Sequence, residues 1–210
     1  MMNVLTRNYF RMLRQGAFGE KQPMEPMSQY KWQQLRLRAR SEHTEQYLPD
    51  SDVPQKGLSG LSNYKKSRRH RSIEKAEYHS IDTSLHSLDF LHLMAFNVHS
   101  TMIGETRIDG IIEMGRFLRT KGDKVDFLKV EQWLHKMGIY KLSQLHAAIL
   151  IELFGFSLDE LPFIQHSTRD AIRLAAEDRK LTTAFLTRYP GATLHSMLTR
   201  LHTSITEIEE

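Results

Sequence analysis

Residues 85–156 constrain this chain more than any other stretch, because apolar side chains recur there at three- and four-residue spacing almost without a break. Leu85, Leu88, Leu91, Met94, Ala95, Val98 and Met102 form one stripe, and Phe90, Leu93 and Phe96 cover part of the opposite side. A helix apolar around most of its circumference belongs at the centre of a fold. Gly104 ends it. A second helix over about 107–120 carries Ile108, Ile111, Ile112, Gly115 and Leu118. Asp126 then caps a third, with Phe127, Val130, Trp133, Leu134 and Met137, stopped by Gly138. Lys141 or Ser143 opens a fourth, with Leu142, Leu145, Ile149 and Leu153, closed by Gly155. Four helices joined by short loops imply antiparallel neighbours packed as a bundle. No stretch alternates as a half-buried strand would, so the predicted class is all-α, a multi-helix bundle over 81–210. Its last parts are helical runs at 168–187 and 194–208, the latter with Leu194, Met197, Leu198, Leu201, Ile205 and Ile208 on one face.

The first 48 residues predict a helical pair. Leu5, Tyr9, Met12 and Leu13 share a face of the first helix, which Gly16 and Gly19 are expected to stop. Pro23 and Pro26 prevent continuation, and Ser28 can cap a second helix over roughly 28–47 with Trp32, Leu35 and Ala39 inward. From 49 to 80 the rhythm disappears, and the composition predicts a basic, flexible linker. The chain carries 29 Lys/Arg against 25 Asp/Glu, a net +4. Residues 1–80 hold 15 Lys/Arg and 8 Asp/Glu, so the basic excess lies there and an anionic partner is expected there too. Cysteine is absent, which removes disulfides, thiolate nucleophiles and Cys-based metal sites. Arg7, Arg11 and Arg14 interrupt the apolar N-terminus, and no apolar run reaches the ~18 residues of a membrane span. The expectation is a cytoplasmic protein with no membrane partner.

The helical block also resembles the C-terminal helical part of an uncharacterised bacterial nucleotidyltransferase family. The matching residues are His92 or His99, Gly104, Phe117-Leu118, Asp126, Trp133, Met137-Gly138-Ile139 and Leu153-Phe154-Gly155. The early RNYFRMLRQGAFG and MEPMSQYKWQQL look like the family's N-terminal helices. The resemblance implies a catalytic α/β unit between the two helical parts, opening on Gly-Ser and followed by an Asp-x-Asp pair that would hold Mg²⁺. This chain departs from it. Glu113-Met114 stand where the family pattern has Asp-aromatic, and the short interval between the helical parts has no room for that unit. Asp50-Ser51-Asp52 has the spacing but lies between prolines without a Gly-Ser turn, and reads as a solvated turn. The implied protein kept the helices and lost the enzyme.

Candidate site residues are few. Lys65, Lys66, Arg68, Arg69 and Arg71 form KKSRRHR, flanked by Tyr64 and including His70; such a run can contact nucleic-acid phosphates or lie solvated in a linker. His92 and His99 share a helical face two turns apart, roughly 10 Å of rise, too far for one metal ion. They read as core or interface histidines, and His86, His135 and His146 do not converge with them. Glu113, one turn after Asp109, could face a pocket as a carboxylate pair or sit at the bundle edge. No nucleophile elbow, phosphate loop or HExxH is present. Neither metal nor cofactor is expected. The leading reading is a non-catalytic helical interaction module for a protein partner. The alternatives are nucleic-acid association through 65–71 and a residual nucleotide-binding protein.

Overall fold

In the computed structural model, residues 4–48, 53, 57–58, 60–102 and 107–164 are described. Among them are seven α-helices and no strand: α1 (Val4–Phe18), α2 (Gln29–Ser41), α3 (Arg68–Tyr78), α4 (Leu85–Met102), α5 (Ile108–Lys121), α6 (Phe127–Met137) and α7 (Tyr140–Phe154). The described residues form an all-α bundle. The predicted runs at 168–187 and 194–208, and Gly104 and Asp50-Ser51-Asp52, lie outside the described residues.

α4 is the hub that its apolar circumference predicts. It packs against α5, α6 and α7, and Phe90, Leu91 and Met94 are fully buried. Phe90 gathers the rings of Phe117, Phe127 and Phe163 at 5.6–6.1 Å, geometry that adds to simple area burial. The helix ends follow local chemistry. Asp126 accepts the Lys129 amide at 3.0 Å and caps α6. Gly138 and Gly155 close α6 and α7 in the left-handed conformation that a side chain would oppose.

The N-terminal pair is built on the bundle. Phe10 and Phe18 meet Phe154 edge-on, and Phe18 also meets Phe156. Arg14 Nε donates to the Leu153 carbonyl at 2.7 Å, satisfying an α7 C-terminal acceptor. Ser28 caps α2 by accepting the Lys31 amide, and Leu35 and Ala39 are fully buried. α2 ends at Ser41 rather than near 47. His43 turns the chain with φ 56°, and a separate 3₁₀ turn, Glu45–Tyr47, follows.

Two further expectations are corrected. Gly16 does not stop α1 but lies inside it, where a Cβ would sit 1.7 Å from the Tyr47 carbonyl oxygen. The expected flexible linker is helical over Arg68–Tyr78. That helix docks on α6, and its Ile73 belongs to the core.

Candidate functional site

α3 starts because Ser67, in extended conformation, accepts the His70 amide through its hydroxyl at 3.2 Å. Its inward residues are His70, Ile73 and Glu77, spaced by three and four, and all three are buried. Only one of them is aliphatic. The helix is therefore seated largely by polar contacts. Glu77 accepts the Ser84 amide at 2.8 Å and the Lys129 ammonium at 3.0 Å, with Lys129 also on the Asp82 carbonyl. Glu74, half-buried, accepts from Lys66 Nζ at 2.6 Å.

Both carboxylates of α3 thus face the bundle and are neutralised by lysines from outside the helix. What remains outward is positive. Arg68, Arg71 and Lys75 are exposed at i, i+3 and i+7, one stripe of the helix, and exposed Lys65 precedes them. None of these four makes an ion pair among the described residues. Of the sequence-predicted basic residues, Lys66 is spent on Glu74. Arg69 lies over the α6 C-terminus, its Nη1 3.5 Å from where a Gly138 Cβ would be, a favourable place for a cation. Lys75 lies beyond the KKSRRHR run and joins its cations only because the chain is helical through Tyr78, a relation that a helical wheel of 68–78 displays.

Beneath α3 lies an aromatic and imidazole cluster. The Tyr64 ring is 5.5 Å from His92, 5.5 Å from His99, 5.9 Å from Phe96 and 6.2 Å from His70. His70 and His92 are 5.5 Å apart. The sequence-predicted His92 and His99 thus share one neighbour, Tyr64, with His92 half-buried and His99 exposed. Burial pushes the His70 imidazole down to about 4, helped by His92 and Lys66. Burial also lowers His92, again with Lys66 contributing. Nδ1 of each is buried without a hydrogen-bond partner. Among the described residues no group of three or more His, Asp or Glu could hold a metal ion.

Glu113 is not a free pocket acid. Its Oε1 accepts from the Tyr47 hydroxyl at 2.7 Å and from Arg116 at 3.0 Å. Asp109 is buried and gripped by two Arg107 nitrogens, Nε at 3.0 Å and Nη2 at 2.5 Å. The two carboxylates serve different partners and do not converge on a shared ligand. An open groove of about 550 Å³ runs between Asp82–His86 and Asp123–Asp126, but its Asp126 is committed to capping α6.

No described helix is long and apolar enough to cross a membrane. Comparison with protein-family models, with curated proteins and with solved structures finds no match to this chain.

Proposed function

We propose that this chain is a non-catalytic helical bundle that binds the phosphate backbone of a nucleic acid along α3. The observation that carries the reading is the one-signed outer face of that helix. Lys65, Arg68, Arg71 and Lys75 point outward without ion-pair partners among the described residues, while Glu74 and Glu77 are turned inward and matched. Arg68 and Lys75 are seven residues apart, about 10 Å along the axis, a length that spans several phosphates of one strand. The stripe offers charge without a set of base-reading side chains, so the expected binding is tolerant of sequence. The separate commitments of Asp109 and Glu113 support the non-catalytic half of the reading. The likeness to nucleotidyltransferase helical parts, taken as ancestry, fits a bundle kept for docking.

The test is fluorescence anisotropy with a labelled oligonucleotide at 50 and 200 mM salt. Four phosphate contacts predict an affinity loss of about 100-fold between the two. Replacing Lys65, Arg68, Arg71 and Lys75 together by Gln should remove the salt-sensitive binding while leaving helix content unchanged. Equal binding by the quadruple variant, or no binding by the native chain at 50 mM salt, would overturn the proposal. Stabilisation by nucleoside triphosphates with Mg²⁺ in place of oligonucleotide binding would point instead to a retained nucleotide site.

A further inference from the structure

We infer that α3 is held on the bundle by a latch of two uncharged histidines, His70 and His92, and that mild acid unseats its N-terminal half. The inference deepens the reading of α3 as a binding helix by naming its regulation, and only its biological consequence rests on that reading.

The geometry is specific. His70 stands in the first turn of α3, fully buried, between Tyr64 of the preceding connection and His92 of α4. Tyr64 in turn packs on His92, Phe96 and His99, so one ring bridges the connection, α3 and α4. A proton added at Nδ1 of either imidazole would meet no acceptor, because both atoms are buried and unpaired. Two imidazolium rings 5.5 Å apart would repel each other in a poorly solvated place.

The surrounding charges reinforce this. Lys66 disfavours a charge on either ring, while Glu74, which holds Lys66 at 2.6 Å, favours one more weakly. On α4, Asp89 and, at the connection, the Leu61 backbone favour a charged His92 without reversing the balance. From α6, Lys129 is engaged by Glu77 and Asp82 at the far end of α3. The C-terminal half of α3 therefore keeps its anchors at Ile73 and Glu77, and the N-terminal half depends on the rings.

The sign follows from linkage. Seated, both imidazoles are held below the ordinary value of about 6.5; unseated, they recover it. The seated state is thus favoured above pH 6.5. Below it, the docking equilibrium falls by up to about tenfold per pH unit for each histidine until the seated rings also protonate.

Amide hydrogen exchange on the full chain, corrected for intrinsic rates, tests this at pH 7.2 and 5.2 without any nucleic acid. Protection of the His70, Arg71 and Ser72 amides should drop at least tenfold at the lower pH while remaining below that of α5 and α7, which marks the opening as local. His70→Phe retains a packed ring that cannot titrate and should reduce the pH effect to the part that His92 supplies, at most about 20-fold. Should that variant fold poorly, His92→Phe serves the same comparison, with α5 and α7 protection reporting on the fold. Unchanged α3 protection between the two pH values would overturn the latch, and so would an equal loss in native and variant chains. Because no oligonucleotide is present, failure of the latch and failure of the binding reading are distinguishable.

Discussion

Gly16→Ala sets two effects of opposite sign against each other. In the middle of a helix, Ala is preferred over Gly by about 1 kcal/mol, so propensity alone predicts stabilisation. The structure predicts the reverse. An added Cβ would lie 1.7 Å from the Tyr47 carbonyl oxygen, 2.6 Å from its carbon and 3.1 Å from Cα. Ordinary contact begins near 3.4 Å, so α1 and the Glu45–Tyr47 turn must separate by roughly 1.7 Å. The obstacle is backbone and cannot rotate away. Tyr47 is fully buried, and its hydroxyl donates to Glu113 at 2.7 Å. A shift of that size breaks the bond, which costs about 1.5–3 kcal/mol for a charged acceptor. Strain from overpacking adds about 1–3 kcal/mol. After subtracting the propensity gain, the expected net loss is about 1.5–5 kcal/mol. Urea unfolding followed by circular dichroism measures it. Gly122→Ala is the control: its φ is −60°, nothing lies within 4 Å of the added Cβ, and it should be neutral or stabilising by under ~1 kcal/mol. A Gly16→Ala chain as stable as the native one would show that close approach to Tyr47 is not what requires glycine there.

Two further outcomes follow. Tyr47→Phe removes the phenol but leaves Glu113 its Arg116 partner at 3.0 Å, so urea unfolding should show the hydrogen-bond loss alone, about 1.5–3 kcal/mol and no greater than that of Gly16→Ala; a larger loss than that of Gly16→Ala would contradict the argument above. Stability should also fall as the solution is acidified from pH 6.5 to about 4, because burial holds His146 down to about 4 while the unfolded chain takes up the proton. That residue contributes at most ~3 kcal/mol, and His146→Gln should flatten the slope in a pH series of urea midpoints. Glu25, held at about 2 chiefly by the Arg7 hydrogen bond, acts in a lower window: its contribution is present above 4.5 and lost as pH falls towards 2. Unfolding midpoints constant from pH 7 to 4.5 would refute the histidine account.

The helices of the bundle were legible wherever burial is aliphatic and the ends are set locally. α4 to α7 bury Leu, Ile, Val, Met and Phe at helical spacing, and Asp126, Gly138 and Gly155 end or begin helices by interactions within a few residues. Gly16 was misread because its reason lies at Tyr47, 31 positions away, where no local rule can see it. Glu113 was placed at a bundle edge or pocket for the same reason; its phenol partner is 66 positions distant. α3 was missed on different grounds. Hydrophobic periodicity detects helices that bury hydrocarbon, and this one turns inward an imidazole, a single isoleucine and a carboxylate.

The same blindness affected the candidate site. A count of charges along KKSRRHR gives the number of cations but not their directions. Folding removes Lys66 to Glu74 and lays Arg69 on the end of α6, while adding Lys75 to the line of Arg68 and Arg71. The decisive residues are Glu74 and Glu77. Had they faced outward, they would have paired with the helix's own arginines and lysine, and the surface would be a mixed one. Because Lys66 and Lys129 meet them from outside the helix, three cations are left in one row with exposed Lys65 just before it, and the field of that row is what a polyanion would encounter.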